Sequence, residues 1–220
     1  MNNSQKHTAV SSKTVGRLSR YRRLLRQCRE QEDCLFSHRL AELAGVTPAQ
    51  VRRDIMAVGY SGSPSKGYEI KTLLQHIDNF LDPPIRQPVA LVGVGNLGRA
   101  ILAFFAGRRP KLKIVAAFDK DPHKADRVIV GCRCYPVEQL ADIMQNHGIT
   151  IGIIAVPASA AQETAAALVA SGATGILNFA PTPLRVPATV YVEDIDLTTS
   201  LDTVAYFARS TREPSLERST

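Results

Sequence analysis

Six residues constrain this chain more than any others: Gly93-Val94-Gly95-Asn96-Leu97-Gly98. They follow the apolar run Val89-Ala90-Leu91-Val92 and open a helical pattern from Arg99 to Ala106. A G-x-G-x-x-G between a strand and a helix is a dinucleotide-binding fingerprint. Each glycine has a physical task. Gly93 makes the tight turn, Gly95 lets backbone approach a pyrophosphate, and Gly98 lets the helix pack close on the strand. The pyrophosphate then meets the positive end of the helix. The next apolar run, Ile114 to Phe118, ends at Asp119, which lies 21 residues beyond Gly98. A carboxylate there accepts from the ribose 2′-OH and repels a 2′-phosphate, which favours NAD(H) over NADP(H). Lys120, one residue on, weakens that exclusion.

The alternation of strand and helix continues. A helix over 137–147, a strand over 149–156, a helix over 158–171, a strand over 175–179 and a short strand over 189–192 predict a doubly wound parallel α/β sheet of the Rossmann type. Ligands bind beyond the carboxyl ends of such strands. That nominates Val156-Pro157-Ala158 and Asn178-Phe179-Ala180-Pro181 as the remaining walls of the cofactor site. None of these residues titrates, whereas hydride transfer to a carbonyl needs a general acid or base. The reading is therefore a cofactor that is sensed, with no catalytic residue. A small NAD-dependent oxidoreductase stays open as the alternative. So does a thiol-based redox regulator using Cys132 and Cys134. The four cysteines include no C-x-x-C pair and no His at zinc spacing, so no metal site is expected. Cys132-Arg133-Cys134 predicts a short strand with one thiol buried.

The net charge of +7 is not spread evenly. Residues 1–71 hold 13 Lys/Arg against 6 Asp/Glu, while the rest of the chain holds 14 of each. The whole excess lies in the first third, which suggests a nucleic-acid partner there or, failing that, a solvated basic face. Apolar residues recur at helical spacing from Val15 to Arg29, with Arg17, Arg20, Arg22, Arg23, Arg26 and Arg29 on the other faces. Ser37 is expected to cap a second helix that turns Leu40, Ala41, Leu43 and Ala44 inward and ends at Gly45. Thr47 caps a third, with Pro48 at its first position and Val51, Ile55 and Val58 as its buried stripe. Two helices across so short a turn form a helix-turn-helix. The second exposes Gln50, Arg52, Arg53 and Asp54 near its start, the end that reaches base edges in the major groove. The Gly/Ser/Pro-rich stretch Gly59 to Tyr68 resembles the wing of a winged helix, with Ser63 and Lys66 as DNA contacts and Lys66 placed to meet phosphate or enter the minor groove. A helix from Ile70 to Phe80 follows, and Pro83, Pro84 and Pro88 stiffen a linker.

The expected organisation is a loose tail over 1–14, a winged-helix DNA-binding domain over 15–82, a linker over 83–88, and a Rossmann domain over 89–196. An amphipathic helix over 197–209 and a loose tail over 210–220 complete it. No run approaches the roughly 18 apolar residues of a membrane span. The amino-terminal segment lacks a secretory signal. A cytoplasmic protein with reduced thiols and no membrane partner is expected.

The chain resembles the redox-sensing transcriptional repressor family Rex. The resemblance rests on Val46 to Asp54, Leu91 to Ala100, Phe118-Asp119-Lys120-Asp121-Pro122, Ala155-Val156-Pro157-Ala158, Gly175-Ile176-Leu177-Asn178-Phe179-Ala180-Pro181 and Val192 to Asp196. It implies a homodimer that binds palindromic operator DNA and releases it when NADH binds, so that the NADH/NAD+ ratio is sensed. It also implies that the helix over 197–209 is swapped onto the partner subunit. Arg23 then pairs with Asp196 as an interdomain latch in the NADH-bound form. Three features depart from the family pattern, at Pro64-Ser65, Leu197 and Phe104. Pro64-Ser65 fills the place of an Arg-Gly in the wing. Leu197 replaces an aromatic after the latch Asp. Phe104 replaces a Tyr that senses the oxidised cofactor.

Overall fold

The computed structural model describes residues 10–82, 84–108 and 111–210. Of the expected loose ends, residues 1–9 and 211–220 lie outside the described residues, as does Pro83 of the expected linker. The chain divides into two compact units, Met1–Pro84 and Ile85–Thr220.

The first unit runs α1 (Ser12–Cys28), β1 (Cys34–Leu35), α2 (Ser37–Ala44), α3 (Pro48–Ala57), β2 (Tyr68–Glu69) and α4 (Ile70–Leu81). Helix α1 starts earlier than its apolar stripe suggests, because Ser11 caps it by accepting from the Thr14 N–H. Leu18, Tyr21 and Leu25 of α1 meet Leu40, Val51, Ile55, Leu73 and Ile77 in one core. Leu43, expected to face inward, is exposed. Arg22, expected on a solvated face, is buried and donates to Asp82 at 2.8 Å, with Asp78 of α4 at 3.4 Å. Ser37 is the first residue of α2 and not its cap, since its hydroxyl accepts from Arg52 of α3. Gly45 closes α2 at φ +66°, a conformation in which a Cβ is strained. The wing is a tight loop: Ser63 and Gly67 exchange backbone hydrogen bonds of 2.8 Å each. Its far limb, β2, pairs antiparallel with β1.

The second unit runs β3 (Gln87–Val92), α5 (Asn96–Phe105), β4 (Leu112–Asp119), β5 (Arg127–Ile129), β6 (Cys132–Pro136), α6 (Leu140–Asn146), β7 (Ile151–Ile154), α7 (Ala158–Ala170), β8 (Gly175–Asn178), β9 (Tyr191–Asp194) and α8 (Leu197–Ser210). One sheet holds the order β5-β6-β4-β3-β7-β8-β9, parallel throughout except for β5. Without β5 this is the Rossmann order, in which the winding reverses between β3 and β7. Residues alternate across β3. Ala90 and Val92 pack with Phe118, Met144, Ala161 and Leu168 on one face, while Val89 and Leu91 pack with Ile101, Leu102 and Cys134 on the other. Pro88 lies within β3, where the sequence put a linker. It is tolerated because β7 begins pairing only at Val89, so the missing N–H breaks no ladder on that side. Both Cys132 and Cys134 are buried, against the expectation of one, because residues two apart in a strand share a face. No helix among the described residues is long and apolar enough to cross a membrane.

Candidate functional site

The glycine turn is built as the spacing demands. Gly93 sits at φ +96°, and a Cβ on it would lie 2.4 Å from the Ala155 carbonyl oxygen. Gly98 presses against the turn so closely that a Cβ would meet the Gly93 carbonyl oxygen at 2.0 Å. Gly95 is the opposite case, for a Cβ there would enter open space. Helix α5 starts at Gly95 with no side chain capping it, and α7 starts likewise at Pro157. Both helices begin at the carboxyl ends of adjacent strands, β3 and β7. Their uncapped N–H groups and partial positive charge form a cradle for an anion. The open space beside Gly95 and the donor set around it fit a dinucleotide pyrophosphate.

Asp119 closes the far side of the cradle at the end of β4. Its Oδ2 accepts from the Val94 N–H at 2.7 Å and from Lys124 Nζ at 3.2 Å, and its Oδ1 accepts from the Asp121 N–H at 2.9 Å. A carboxylate offers about four acceptor sites, so one remains for a ribose hydroxyl. Burial pushes this carboxyl up, but the two backbone N–H groups and Lys124 outweigh burial and hold it below its ordinary value. It is an anion at neutral pH. Lys124 was missed in the sequence because a Lys five residues after a strand end carries no period. Lys120 is exposed beside Asp119.

Asn178 takes a different part from the one its position suggests. Its Nδ2 donates to the Thr182 carbonyl at 2.9 Å and to Asp194 at 2.7 Å, and its Oδ1 accepts from the Ala180 N–H at 3.0 Å. It is buried and spends its amide on the turn that presents Ala180 and Pro181. A cavity of about 450 Å³ lined by Arg86, Phe105, Lys113 and Cys132 lies at the amino ends of β3 and β4, away from the glycine turn. Burial pushes the Cys132 thiol up to about 11 and raises Cys134 as well, so neither is a thiolate near neutrality.

The other candidate face is the start of α3. Thr47 caps it by accepting from the Gln50 N–H at 3.2 Å. Arg52 and Arg53 are exposed, Arg52 donating to Ser37 and Arg53 to the Gln50 side-chain oxygen at 3.1 Å. Asp54, expected to be exposed, is 2% accessible. It falls on the stripe of Val51, Ile55 and Val58, and Arg17 and Tyr21 of α1 reach it there. In the wing, Ser63 and Ser65 share a hydrogen bond, and Lys66 is exposed at the tip. Arg23 is exposed on α1. Asp196 accepts from the backbone N–H and the hydroxyl of Thr199, at the start of α8.

Comparison with known proteins agrees with this division. A family model described as "CoA binding domain" matches residues 86–182, and one described as "Putative DNA-binding protein N-terminus" matches residues 9–55. The redox-sensing transcriptional repressor Rex of Lactobacillus acidophilus is 38% identical over 88% of this chain and 92% of its own length. The Rex of Carboxydothermus hydrogenoformans is 38% identical over 91% of this chain and 97% of its own. Among solved structures, RSP, a Rex-family repressor, in complex with β-NAD+ and operator DNA has a TM-score of 0.84 at 32% identity, covering 93% of this chain and 94% of that one. The complex of RSP with β-NADH has a TM-score of 0.82 at 31% identity, covering 93% and 96%. Identity of this order along nearly the whole length of both chains makes this protein a member of the Rex family of redox-sensing transcriptional repressors.

Proposed function

We propose that this protein is a cytoplasmic, dimeric repressor that grips a palindromic operator through α3 and the wing and releases it when NADH fills the cradle at Gly93–Gly98. One observation carries the reading: a single chain joins the glycine turn with its Asp119 to a helix-turn-helix with a basic first helix. Gly95 and the N-termini of α5 and α7 hold the pyrophosphate, and Asp119 takes the adenosine ribose. The apolar side chains around Val156, Ala158 and Ala180 receive the nicotinamide. When bound, the cofactor supplies only a difference of charge, since NAD+ carries a positive ring and NADH a neutral one. An apolar wall favours the neutral form because it has no charge to desolvate.

The DNA contacts divide by kind. Gln50 and Arg53 read base edges, while Arg52, Ser63, Lys66 and the Thr47 end of α3 meet the backbone. The apolar residues of α8, among them Leu201, Val204 and Phe207, are each more than 60% exposed in the single chain. A second copy covers them in this reading. Arg23 of one subunit then meets an Asp196 when NADH is bound, and the two recognition helices leave the spacing of one DNA turn, about 34–36 Å. The test is fluorescence anisotropy of a labelled operator with protein and rising NADH, with NAD+ and NADPH in parallel. Release by NADH alone supports the reading. Turnover of NADH with a carbonyl substrate at enzymatic rates replaces it with an oxidoreductase.

A further inference from the structure

A carboxylate on a helix that enters the groove of an anion needs a reason, and Asp54 has an unusual one. It accepts four hydrogen bonds: Arg17 Nε to Oδ2 at 2.6 Å, Arg17 Nη2 to Oδ1 at 2.8 Å, the Tyr21 hydroxyl to Oδ2 at 3.0 Å, and Gln50 Nε2 to Oδ1 at 2.8 Å. That saturates the acceptor sites of a carboxylate. Its side chain is 3% exposed, so it has neither capacity nor access for DNA. Stability alone does not account for it, because an apolar residue on the same stripe would serve as well as a buried ion pair.

What Asp54 does is orient its neighbours. A glutamine amide has a donor end and an acceptor end, and only the donor end can face an anion. Asp54 therefore sets the Gln50 amide with Nε2 inward. Its Oε1 is left to accept from Arg53 Nη2 at 3.1 Å. The chain Arg17–Asp54–Gln50–Arg53 runs from α1 through the core to the exposed start of α3. We propose that Asp54 is a positioning residue: it fixes the direction of the Gln50 amide and, through it, the Arg53 guanidinium, so that base selectivity is set from inside the unit. This rests on the reading of α3 as the DNA-reading helix. Major-groove discrimination depends on the order of donors and acceptors presented, and an amide free to turn over presents two orders.

The test uses the full-length chain. Wild-type protein first enriches a site from a random-sequence DNA duplex pool. Affinities are then measured for that site, for its single-base variants, and for unrelated duplex. Asp54→Asn keeps Gln50 and Arg53 but lets the amide face either way. The expected result is a loss of about fivefold or more in discrimination at one or two adjacent positions of each half-site. Affinity for unrelated duplex and for NADH stays at the wild-type level. Should Asp54→Asn fail to fold, Asp54→Glu is the second variant, since it keeps an anion for Arg17 but carries the carboxylate one methylene away from its place beside Gln50 Nε2, and a smaller loss at the same positions is expected. Base preferences unchanged at every position in a folded variant overturn the assignment. A wild type that enriches no sequence overturns the DNA-reading role of α3 itself, and the two failures are thereby distinguished.

Discussion

Asp119 at the end of β4 accepts a 2.7 Å hydrogen bond from the backbone N–H of Val94, inside the glycine turn. One carboxylate thus fixes the glycine turn and, in the proposed reading, also faces the ribose of the cofactor. Asp119→Asn keeps the shape but loses the charge, and a hydrogen bond to a charged group is worth about 1.5–3 kcal/mol. NADH binding should weaken by about tenfold or more, and the preference over NADPH should shrink, because nothing anionic then opposes a 2′-phosphate. Calorimetric titration with both cofactors checks this. Equal loss for the two would remove the ribose role.

Gly95 and Gly98 should respond to alanine in opposite ways. At Gly98 a Cβ would lie 2.0 Å from the Gly93 carbonyl oxygen, whereas at Gly95 it meets nothing and φ is an ordinary −75°. Gly98→Ala should destabilise the second unit by several kcal/mol, as overpacking against backbone does. Gly95→Ala should keep the melting temperature within a few degrees yet lose most NADH affinity, because its methyl fills the open space where the proposed site holds the pyrophosphate. Thermal melts followed by circular dichroism, alongside NADH titration, separate the two.

Much of this arrangement was legible in the sequence, and the reasons are specific. The glycine turn was legible because steric demand leaves glycine no substitute at Gly93 and Gly98. The doubly wound parallel sheet follows from the regular alternation of apolar runs and helical patterns, while the order of its strands does not. The strand over Cys132–Cys134 carries a signal of its own, but β5 is harder to see, since it is only three residues, Arg127–Ile129, at the edge of the sheet. Asn178 stands at a strand end, the place of a ligand contact, but its amide is consumed by Thr182, Asp194 and Ala180. The charge of Asp54 suggests exposure, yet it lies on the apolar face of α3 and is buried. Its partners Arg17 and Tyr21 are more than thirty residues away, and no local pattern announces them.

Asp54 should also govern the acid stability of the first unit. Burial pushes its carboxyl up, but the hydrogen bonds of Arg17, Gln50 and Tyr21 more than reverse this, so its value in the folded chain lies below the ordinary one. A lowered carboxyl stabilises above its unfolded value, about 4, and that contribution is lost as pH falls through the lowered one. Wild-type protein should therefore lose stability in α1 below about pH 4. Asp54→Asn should be weaker by about 3 kcal/mol near neutrality and flatter in acid. Amide hydrogen exchange in α1 across this range is the measurement, and parallel slopes for the two proteins would contradict it.

The buried thiols should be spectators. Cys132 is pushed up to about 11 by burial, and a protonated, enclosed thiol reacts slowly. Replacing Cys132 and Cys134 together by Ala should leave the NADH response of operator binding unchanged, apart from a modest loss of stability. Abolition of that response in a folded double variant would make the chain a thiol-based regulator.

In the proposed mechanism, occupancy of the Gly93–Gly98 cradle changes how the α3 pair sits on DNA. Titrating NADH into the preformed protein–operator complex, with anisotropy and cofactor fluorescence recorded on one sample, tests it most directly. Operator release should track NADH binding, with NAD+ at the same concentration leaving the complex intact. Saturation of the cradle with NADH while the operator stays bound would contradict it.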